Sequence, residues 1–161
     1  MPFKQSVDDA LGLLRQTSLR SKFYEGLSAA EIAVINPALA RRKFPRLPDD
    51  YLYFLSKTNG CDGPDFYLYG IDQIDIENGI INGSLVEEAE DYNRSEPEDD
   101  VEDKGLLLGH MYGRMMLVYQ FAKYHVLDLD SRLPLSADYN DIGDFIRASV
   151  IYAEKKASEK N

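Results

Sequence analysis

Residues 47–60 read LPDDYLYFLSKTNG, a stretch that predicts one short helix around which the rest of the chain is organised. Pro48 suits the first helical position, because its missing N–H costs nothing there. Asp49 and the aspartate after it then lie in the first turn, near the positive end of the helix dipole. Asn59-Gly60 is expected to end the helix, since glycine readily takes the left-handed conformation of a C-cap.

The apolar side chains of this helix predict its place in the core. Those at the three- and four-residue spacings of a single helical face are Tyr51, Leu52, Phe54 and Leu55. Leu47, just ahead of the helix, completes the motif. We expect Leu55 to be buried between this helix and a β-sheet.

Two further helices are predicted upstream. Ser6 is a plausible N-cap for a helix from Val7 to Gln16. Ser28 and Glu31 match the capping box, in which the serine caps a backbone N–H and the glutamate reaches back. Pro37 lies inside the helix that this box opens and is expected to break or kink it.

Strands dominate the chain downstream of the central helix. Residues 61–65 predict a turn, and Phe66 to Gly70 an aromatic strand. Asn78-Gly79 and Asn82-Gly83 each suit a tight turn. Three more strands are predicted in residues 106–108, 115–121 and 124–129. Their short connections indicate an antiparallel meander, because parallel strands need long crossovers.

The end of the chain predicts a final helix capped by Asp141, with Ile142, Phe145 and Ile146 on its packed side. Residues 155–161 are polar and are expected to fray. The predicted fold is therefore a single α+β domain over residues 1–161. It has N-terminal helices, a mainly antiparallel sheet and a C-terminal helix packed on that sheet.

The central motif resembles the SUKH superfamily, which includes bacterial immunity proteins and a fungal branch of cell-wall-synthesis regulators. Leu47-Pro48, an acidic residue, Tyr51, apolar positions and the closing Asn59-Gly60 carry the resemblance. The order of the later segments agrees with it: Phe66-Tyr67-Leu68-Tyr69-Gly70, then Leu106-Leu107-Leu108-Gly109, strands ending near residues 128–130, and the helix around Asp144-Phe145-Ile146. Together these segments cover roughly residues 28–153.

The chain departs from the family's commonest form in two ways. It carries a long acidic insertion around residues 77–104, and it has no tryptophan. Within the insertion, an acidic loop is expected at about 84–104, with a helix start at its beginning and a flexible remainder. The resemblance implies a binding protein that neutralises a toxin by occluding it. The alternative of the same fold is an intracellular scaffold or regulatory protein-interaction module.

The net charge of −10 is concentrated in one place. Residues 87–103 hold ten acidic side chains and one base, Arg94, so this segment carries a charge of −9. The candidate partner-binding residues are Glu87, Glu88, Glu90, Asp91, Glu96, Glu98, Asp99, Asp100, Glu102 and Asp103. Such a field repels phosphate backbones, which argues against direct nucleic-acid binding, and attracts a basic protein such as a nuclease toxin.

Cysteine content and hydropathy bear on the compartment. The single cysteine, Cys61, excludes an internal disulfide and any cysteine-based zinc cluster. No apolar run approaches the ~20 residues that cross a bilayer. We expect a cytoplasmic protein that does not insert into membranes.

No arrangement of residues predicts catalysis, a cofactor or a metal ion. His110 and His125 could face one another across the sheet, although a structural role is the stronger interpretation. Cys61 follows a helix C-terminus, whose dipole disfavours a thiolate. Asp128 and Asp130 are more typical of a turn than of a cation site. We therefore predict that the protein is not an enzyme.

Tyrosine is abundant, with eleven residues against seven phenylalanines. Those in the predicted helix and sheet layers are Tyr51, Tyr53, Tyr67, Tyr69, Tyr112, Tyr119 and Tyr124. We expect most of them to be core or core-edge residues whose hydroxyls reach water. An interface role is the minority interpretation.

Overall fold

A computed structural model places six strands in one antiparallel sheet, with the C-terminal helix packed on it, and confirms the α+β prediction. The structure describes residues 2–97, 100–111 and 114–159. The helices are α1 Phe3–Gln16, α2 Ala29–Arg41, α3 Asp49–Lys57, α4 Ser84–Tyr92 and α5 Ile142–Glu159. The strands are β1 Lys22–Phe23, β2 Cys61–Gly63, β3 Phe66–Leu68, β4 Gln73–Asp75, β5 Ile80–Asn82, β6 Leu106–Met111, β7 Met115–Gln120 and β8 Lys123–Asp128.

The sheet has the strand order β1-β2-β3-β6-β7-β8, and β4 and β5 form a separate two-stranded sheet. The meander of β6, β7 and β8 is as predicted, with a register shift between Leu107 and Gly109. Helices α1, α3 and α5 contact one another. Their apolar faces and the facing side chains of the sheet form the main hydrophobic core.

Helix α3 lies at the centre of this core, as residues 47–60 predict. Leu47, Tyr51 and Leu55 are fully buried, and the Tyr51 hydroxyl donates a hydrogen bond to the carbonyl of Tyr69 at 2.6 Å. Leu52 is half-buried. Pro48 is the N-cap and not the first helical residue, because its carbonyl accepts the first helical hydrogen bond from Leu52.

Asn59-Gly60 does not form the expected helix C-cap. Thr58 is the C-cap in an extended conformation, and Asn59 instead pairs with the backbone of Ile71. Its amide nitrogen donates to the Ile71 carbonyl at 2.8 Å, and its amide oxygen accepts from the Ile71 N–H at 2.7 Å. Gly60 has φ +84°, and a Cβ there would lie 2.7 Å from the Leu68 carbonyl oxygen. The pair therefore locks the end of α3 onto the chain that follows β3.

Two predicted helix boundaries are wrong, and a predicted break inside a helix is absent. Helix α1 starts at Phe3 rather than Val7, because the Ser6 side chain donates to Asp141 instead of capping the helix. Helix α2 continues through Pro37, with buried side chains on both sides of the proline, so the expected break does not occur. Helix α5 extends to Glu159, beyond the predicted start of fraying.

The segment between α3 and α4 also differs from the prediction. Only Pro64 and Asp65 of the expected turn cluster form a turn, since residues 61–63 pair with β3 as strand β2. Asn78-Gly79 lies in the β4–β5 connection, and Gly79 has φ +66°. Gly83 is instead the N-cap of α4.

Asp50 joins three distant parts of the chain at the N-terminus of α5. Its side chain is buried, with 7% of the residue exposed. Its Oδ2 accepts hydrogen bonds from the Tyr124 hydroxyl at 2.6 Å and from the Ile142 N–H at 2.7 Å. Asp141 caps α5 by accepting from the Asp144 N–H, as predicted, and also accepts from Ser6. Burial raises the pKa of Asp50 even though both hydrogen bonds lower it.

We expect Leu55→Ala to lower the free energy of unfolding by about 2–5 kcal/mol, because Leu55 has no exposed surface and a cavity would remain. Urea denaturation measures this loss as a change in midpoint at constant slope. Leu52→Ala, at a half-buried position of the same helix, serves as the control and should cost less. A loss below ~1 kcal/mol for Leu55→Ala would contradict the assignment of the buried face.

The raised pKa of Asp50 predicts a pH dependence of stability. A raised pKa in the folded state means a contribution that is fully present below the ordinary value of 3.8 and is lost as pH rises through the raised value. The wild type should therefore gain stability relative to Asp50→Asn as pH falls from neutral towards 4.

Urea denaturation across that pH range tests this expectation. Asp50→Ala is the matched variant, because it leaves the Tyr124 hydroxyl and the Ile142 N–H without their acceptor. It should cost about 1–3 kcal/mol for each buried group left unsatisfied, at every pH. Parallel pH profiles for the wild type and Asp50→Asn would show that the carboxyl titrates normally.

Candidate functional site

The predicted partner-binding residues fall into two parts of the structure. Four lie on helix α4, namely Glu87, Glu88, Glu90 and Asp91. Four more lie in the turns that follow it, namely Glu96, Asp100, Glu102 and Asp103, whereas Glu98 and Asp99 lie outside the described residues. The helix start expected at the beginning of residues 84–104 is present as α4, which is nine residues long because Leu85, Val86 and Ala89 supply a buried apolar face.

Two of these acids are used within the fold. Glu90 forms an ion pair with Arg42 at 2.8 Å, and Asp91 forms one with Arg94 at 2.5 Å. Arg42 also donates to the Ile81 carbonyl and to the Asn82 side chain. Arg42 therefore attaches the end of α2 to β5 and α4.

The other six described acids, on the part of the chain that the structure covers, form no ion pair with a base. These six acids are Glu87, Glu88, Glu96, Asp100, Glu102 and Asp103. Their like charges affect one another: a hydrogen bond shared with Asp100, and the charge of that group, raise the pKa of Asp103. The segment thus presents negative charge that the described fold does not neutralise.

Asn93 connects the two ends of the acidic segment, which is residues 87–103, and only 6% of Asn93 is exposed. Its amide nitrogen donates to the carbonyls of Ala89 and Gly105, both at 2.7 Å. Its amide oxygen accepts from the Gly105 N–H at 3.0 Å. Gln120 of β7 donates to the Asp103 carbonyl at 2.6 Å. These bonds attach both ends of the segment to the sheet.

Three aromatic side chains contact one another beside strands β3 and β6, and we call Tyr67, Tyr69 and His110 the tyrosine patch. Tyr69 also packs against the main core. Tyr67 points away from the core, because Phe66 and Leu68 on either side of it are buried. It pairs across the strands with His110. The Tyr69 hydroxyl lies 2.6 Å from His110 Nδ1, and the Tyr67 hydroxyl lies 3.3 Å from the same nitrogen.

Acidic side chains adjoin this patch. The Tyr24 hydroxyl donates to Asp62 at 3.0 Å. Burial is the main cause that raises the pKa of Tyr69, and a hydrogen bond with Tyr67 and the negative charge of Glu88 add to it. Tyr92 of α4 packs against the same apolar cluster of the sheet as Tyr69, so helix α4 lies on the side of the sheet that Tyr69 borders.

The remaining candidate residues have structural environments. His110 and His125 do not face one another: His125 Nδ1 lies 2.8 Å from Asp138, and its Nε2 lies 2.8 Å from the Gln120 carbonyl. Cys61 is fully buried in β2, and burial raises the pKa of its thiol. Asp128 accepts from two backbone N–H groups of its own turn. Within residues 2–97, 100–111 and 114–159, no three His, Cys, Asp or Glu side chains are arranged to hold a metal ion.

The tyrosines expected in the helix and sheet layers have different environments. Tyr51 and Tyr124 are fully buried, as predicted for core residues, and Tyr112 lies outside the described residues. The interface role, which was the minority interpretation, stays a prediction. The alternation in Phe66-Tyr67-Leu68 was the signal for an outward tyrosine, but its pairing with His110 depends on strands that are far apart in sequence.

Comparison of the chain with protein-family models, with curated proteins and with solved structures finds no match in any of the three. The resemblance to the SUKH superfamily therefore stays a prediction from the sequence pattern. None of the described helices combines the length and the apolar composition that crossing a membrane requires.

We expect Asn93→Ala to lower the free energy of unfolding by at least ~2 kcal/mol, because several buried backbone groups lose their partner. Urea denaturation measures the loss, and hydrogen exchange at the Gly105 amide should become faster. Asn140→Ala, at an exposed asparagine, is the matched control and should change stability by less than ~0.5 kcal/mol. Equal stability of the two variants would mean that Asn93 does not hold the segment.

Proposed function

We propose that this protein is a non-catalytic binding protein that neutralises a cognate toxin domain, a basic nuclease, by occluding it through an acidic surface. The observation that carries the proposal is that six described acids of the acidic segment form no ion pair. Asn93 holds this segment by hydrogen bonds to Ala89 and Gly105. Like charges repel one another and disfavour a folded segment, so a basic partner would offset a cost that the described fold leaves in place.

The physical mechanism needs no chemistry from this protein. Carboxylates can occupy the cationic surface with which a nuclease binds phosphates, and blocking that surface prevents access of the nucleic acid. The same charges steer the two proteins together and raise association rates by ~10–1000-fold at low salt. Occlusion requires neither a cofactor nor a metal ion in this chain, and direct binding to nucleic acid is opposed by the same field.

The resemblance of residues 47–60 and the later segments to SUKH proteins supports an immunity role. The buried single thiol of Cys61 is compatible with the reducing cytoplasm in which we place the protein. Fold resemblance alone does not separate immunity from other binding roles, so the acidic segment supplies the more specific support.

A second candidate function is an intracellular scaffold or regulatory module of the same fold. The internal ion pairs of Glu90 and Asp91 favour it, because they show that part of the acidic run serves the fold itself. Under this alternative, the remaining acids only keep the surface solvated.

Affinity purification with the tagged protein, followed by mass spectrometry, separates the two functions. Immunity predicts a basic partner whose nuclease activity on plasmid DNA falls to zero as this protein is added to equal concentration. It also predicts that co-expression restores growth to cells that produce the partner. A partner without toxic activity would contradict immunity and support the scaffold.

Neutralising the acids that follow α4 should slow association with that partner more than it speeds dissociation, as is usual for charges at an interface rim. The variant replaces four acids with their amides: Glu96→Gln, Asp100→Asn, Glu102→Gln and Asp103→Asn. Stopped-flow binding at low and physiological ionic strength measures the rates, and we expect association to slow by about tenfold or more at low salt. The difference should shrink near physiological salt, where the screening length is ~8 Å.

The matched control changes the total charge equally but elsewhere on the surface. It replaces four exposed acids, namely Glu25, Glu77, Glu154 and Glu159, with glutamine. If position matters, this control should associate much faster than the segment variant. Equal rates for the two variants would show that only net charge acts, and the acidic segment would then have no specific role.

A further inference from the structure

We propose that a cleft beside helix α5 binds a small organic anion, a molecule with an apolar body and one carboxylate or similar anionic group. Two adjoining cavities, of about 1000 and 600 Å³, form this α5 cleft. No described residue of the acidic segment lines either cavity. The inference therefore goes beyond the proposed function and does not rest on it.

The two cavities meet at the turn between β2 and β3. The residues that line both of them are Pro64, Asp65, Phe66, Met111 and Lys156. Because part of the lining is shared, one molecule can extend from one cavity into the other. Ligand-binding cavities usually measure ~300–1000 Å³, so the α5 cleft has the size to hold a small molecule.

The smaller cavity is mainly apolar. Phe66 and Phe145 line it with buried rings that contact each other edge to face, with centroids 5.7 Å apart. Leu135 and Tyr152 line it too, and they remain 49% and 64% exposed. Covering such exposed apolar side chains with an apolar ligand removes their surface from water, which favours binding.

The larger cavity is lined by three bases from separate parts of the chain. Arg20 precedes β1, Lys22 belongs to β1, and Lys156 belongs to α5. All three are exposed. Within the described residues none of them forms an ion pair, although Lys22 lies over the Tyr24 ring at 5.2 Å. Their charges are therefore open to an anionic ligand.

Two acids, Asp62 and Asp65, line the larger cavity as well. The Asp62 carboxylate already accepts a hydrogen bond from the Tyr24 hydroxyl at 3.0 Å. With His110 neutral, three bases against two acids give the lining a net charge of +1, whereas the whole chain carries −10. The cavity is thus a locally positive site on an acidic protein, which favours an anion over a cation.

The separation of apolar and basic side chains selects an anion with an apolar body. Lys156 lines both cavities, so an anionic group beside it leaves the rest of the molecule within reach of the smaller cavity. A bare anion such as phosphate would leave Leu135 and Tyr152 uncovered. A neutral apolar molecule would leave the three bases without a partner. Ligand sites commonly combine an apolar lining with a few polar groups that fix orientation.

Two fluorescent probes with the same aromatic rings test this inference on the full chain. One is 1-anilinonaphthalene-8-sulfonate, whose sulfonate stands in for the carboxylate, and the other is N-phenyl-1-naphthylamine, which has no anionic group. Fluorescence titration at low salt measures their affinities. We expect Lys156→Gln to weaken binding of the sulfonate probe about fivefold or more and to change binding of the neutral probe by less than about twofold.

Helix α5 offers a matched control for each of two variants. Lys155→Gln removes an exposed base that lines neither cavity and should bind both probes as the wild type does. Tyr152→Ala should weaken both probes, because it removes apolar lining. Ile151→Ala removes a neighbouring apolar side chain that is 54% exposed and lines neither cavity, so it should leave both affinities unchanged.

Competition against the sulfonate probe tests the chemical class of the ligand. Decanoate and 2-naphthoate combine a carboxylate with a flexible chain or a ring system, and at least one of them should displace the probe. The stronger competitor identifies the shape of the apolar body. Inorganic phosphate at the same ionic strength should not displace it, because phosphate has no apolar body.

Several results would overturn the inference. It is wrong if the wild type binds neither probe, or if Lys156→Gln binds the sulfonate probe as tightly as Lys155→Gln does. It is also wrong if Tyr152→Ala and Ile151→Ala have equal affinities for both probes. Displacement by phosphate alone, or by neither carboxylate, would contradict an apolar body bearing an anionic group.

Discussion

The fold depends on one buried carboxylate. Asp50 accepts hydrogen bonds from the Tyr124 hydroxyl and from the Ile142 N–H, and these two partners lie 74 and 92 positions further along the chain. Removing a carboxylate from water is costly, and these hydrogen bonds together with the positive end of α5 offset that cost. Because the bonds are directional, they set where β8 and α5 lie relative to α3, which apolar contacts alone do not specify. Burial raises the pKa of Asp50 more than the hydrogen bonds lower it, so the cost of burying the charged carboxylate is only partly offset.

Three asparagines repeat a second device, in which a side-chain amide pairs with the N–H and the carbonyl of one distant residue. Asn36 pairs with Leu47, Asn59 with Ile71 and Asn93 with Gly105. Each pair closes a loop of similar length, with partners 11 or 12 positions apart. A side-chain amide offers a donor and an acceptor side by side, so it can pair with a backbone N–H and carbonyl in the way that a neighbouring strand would. The third pair explains how a highly charged segment stays attached to the sheet.

Local signals predicted the elements whose cause is local. The capping box of Ser28 and Glu31, the apolar face of α3 and the β6–β8 meander all follow from spacing within a few residues. Features set by distant contacts were not predictable in this way. Asn59 was expected to cap α3 because its partner, Ile71, cannot be identified from neighbouring residues. The tyrosine patch likewise needs the register of β3 against β6, which is fixed only when the whole sheet forms.

Charge and aromatic surface have different physical consequences for an interface. The field of the acids extends over roughly a screening length of ~8 Å, so it acts before contact and mainly changes the rate of encounter. An exposed ring such as Tyr67 can act only at contact distance, so it would mainly change how long a complex lasts. If the proposed basic partner binds this protein, the unpaired acids would therefore set mainly how fast the two proteins meet, and side chains within contact distance how long they stay together.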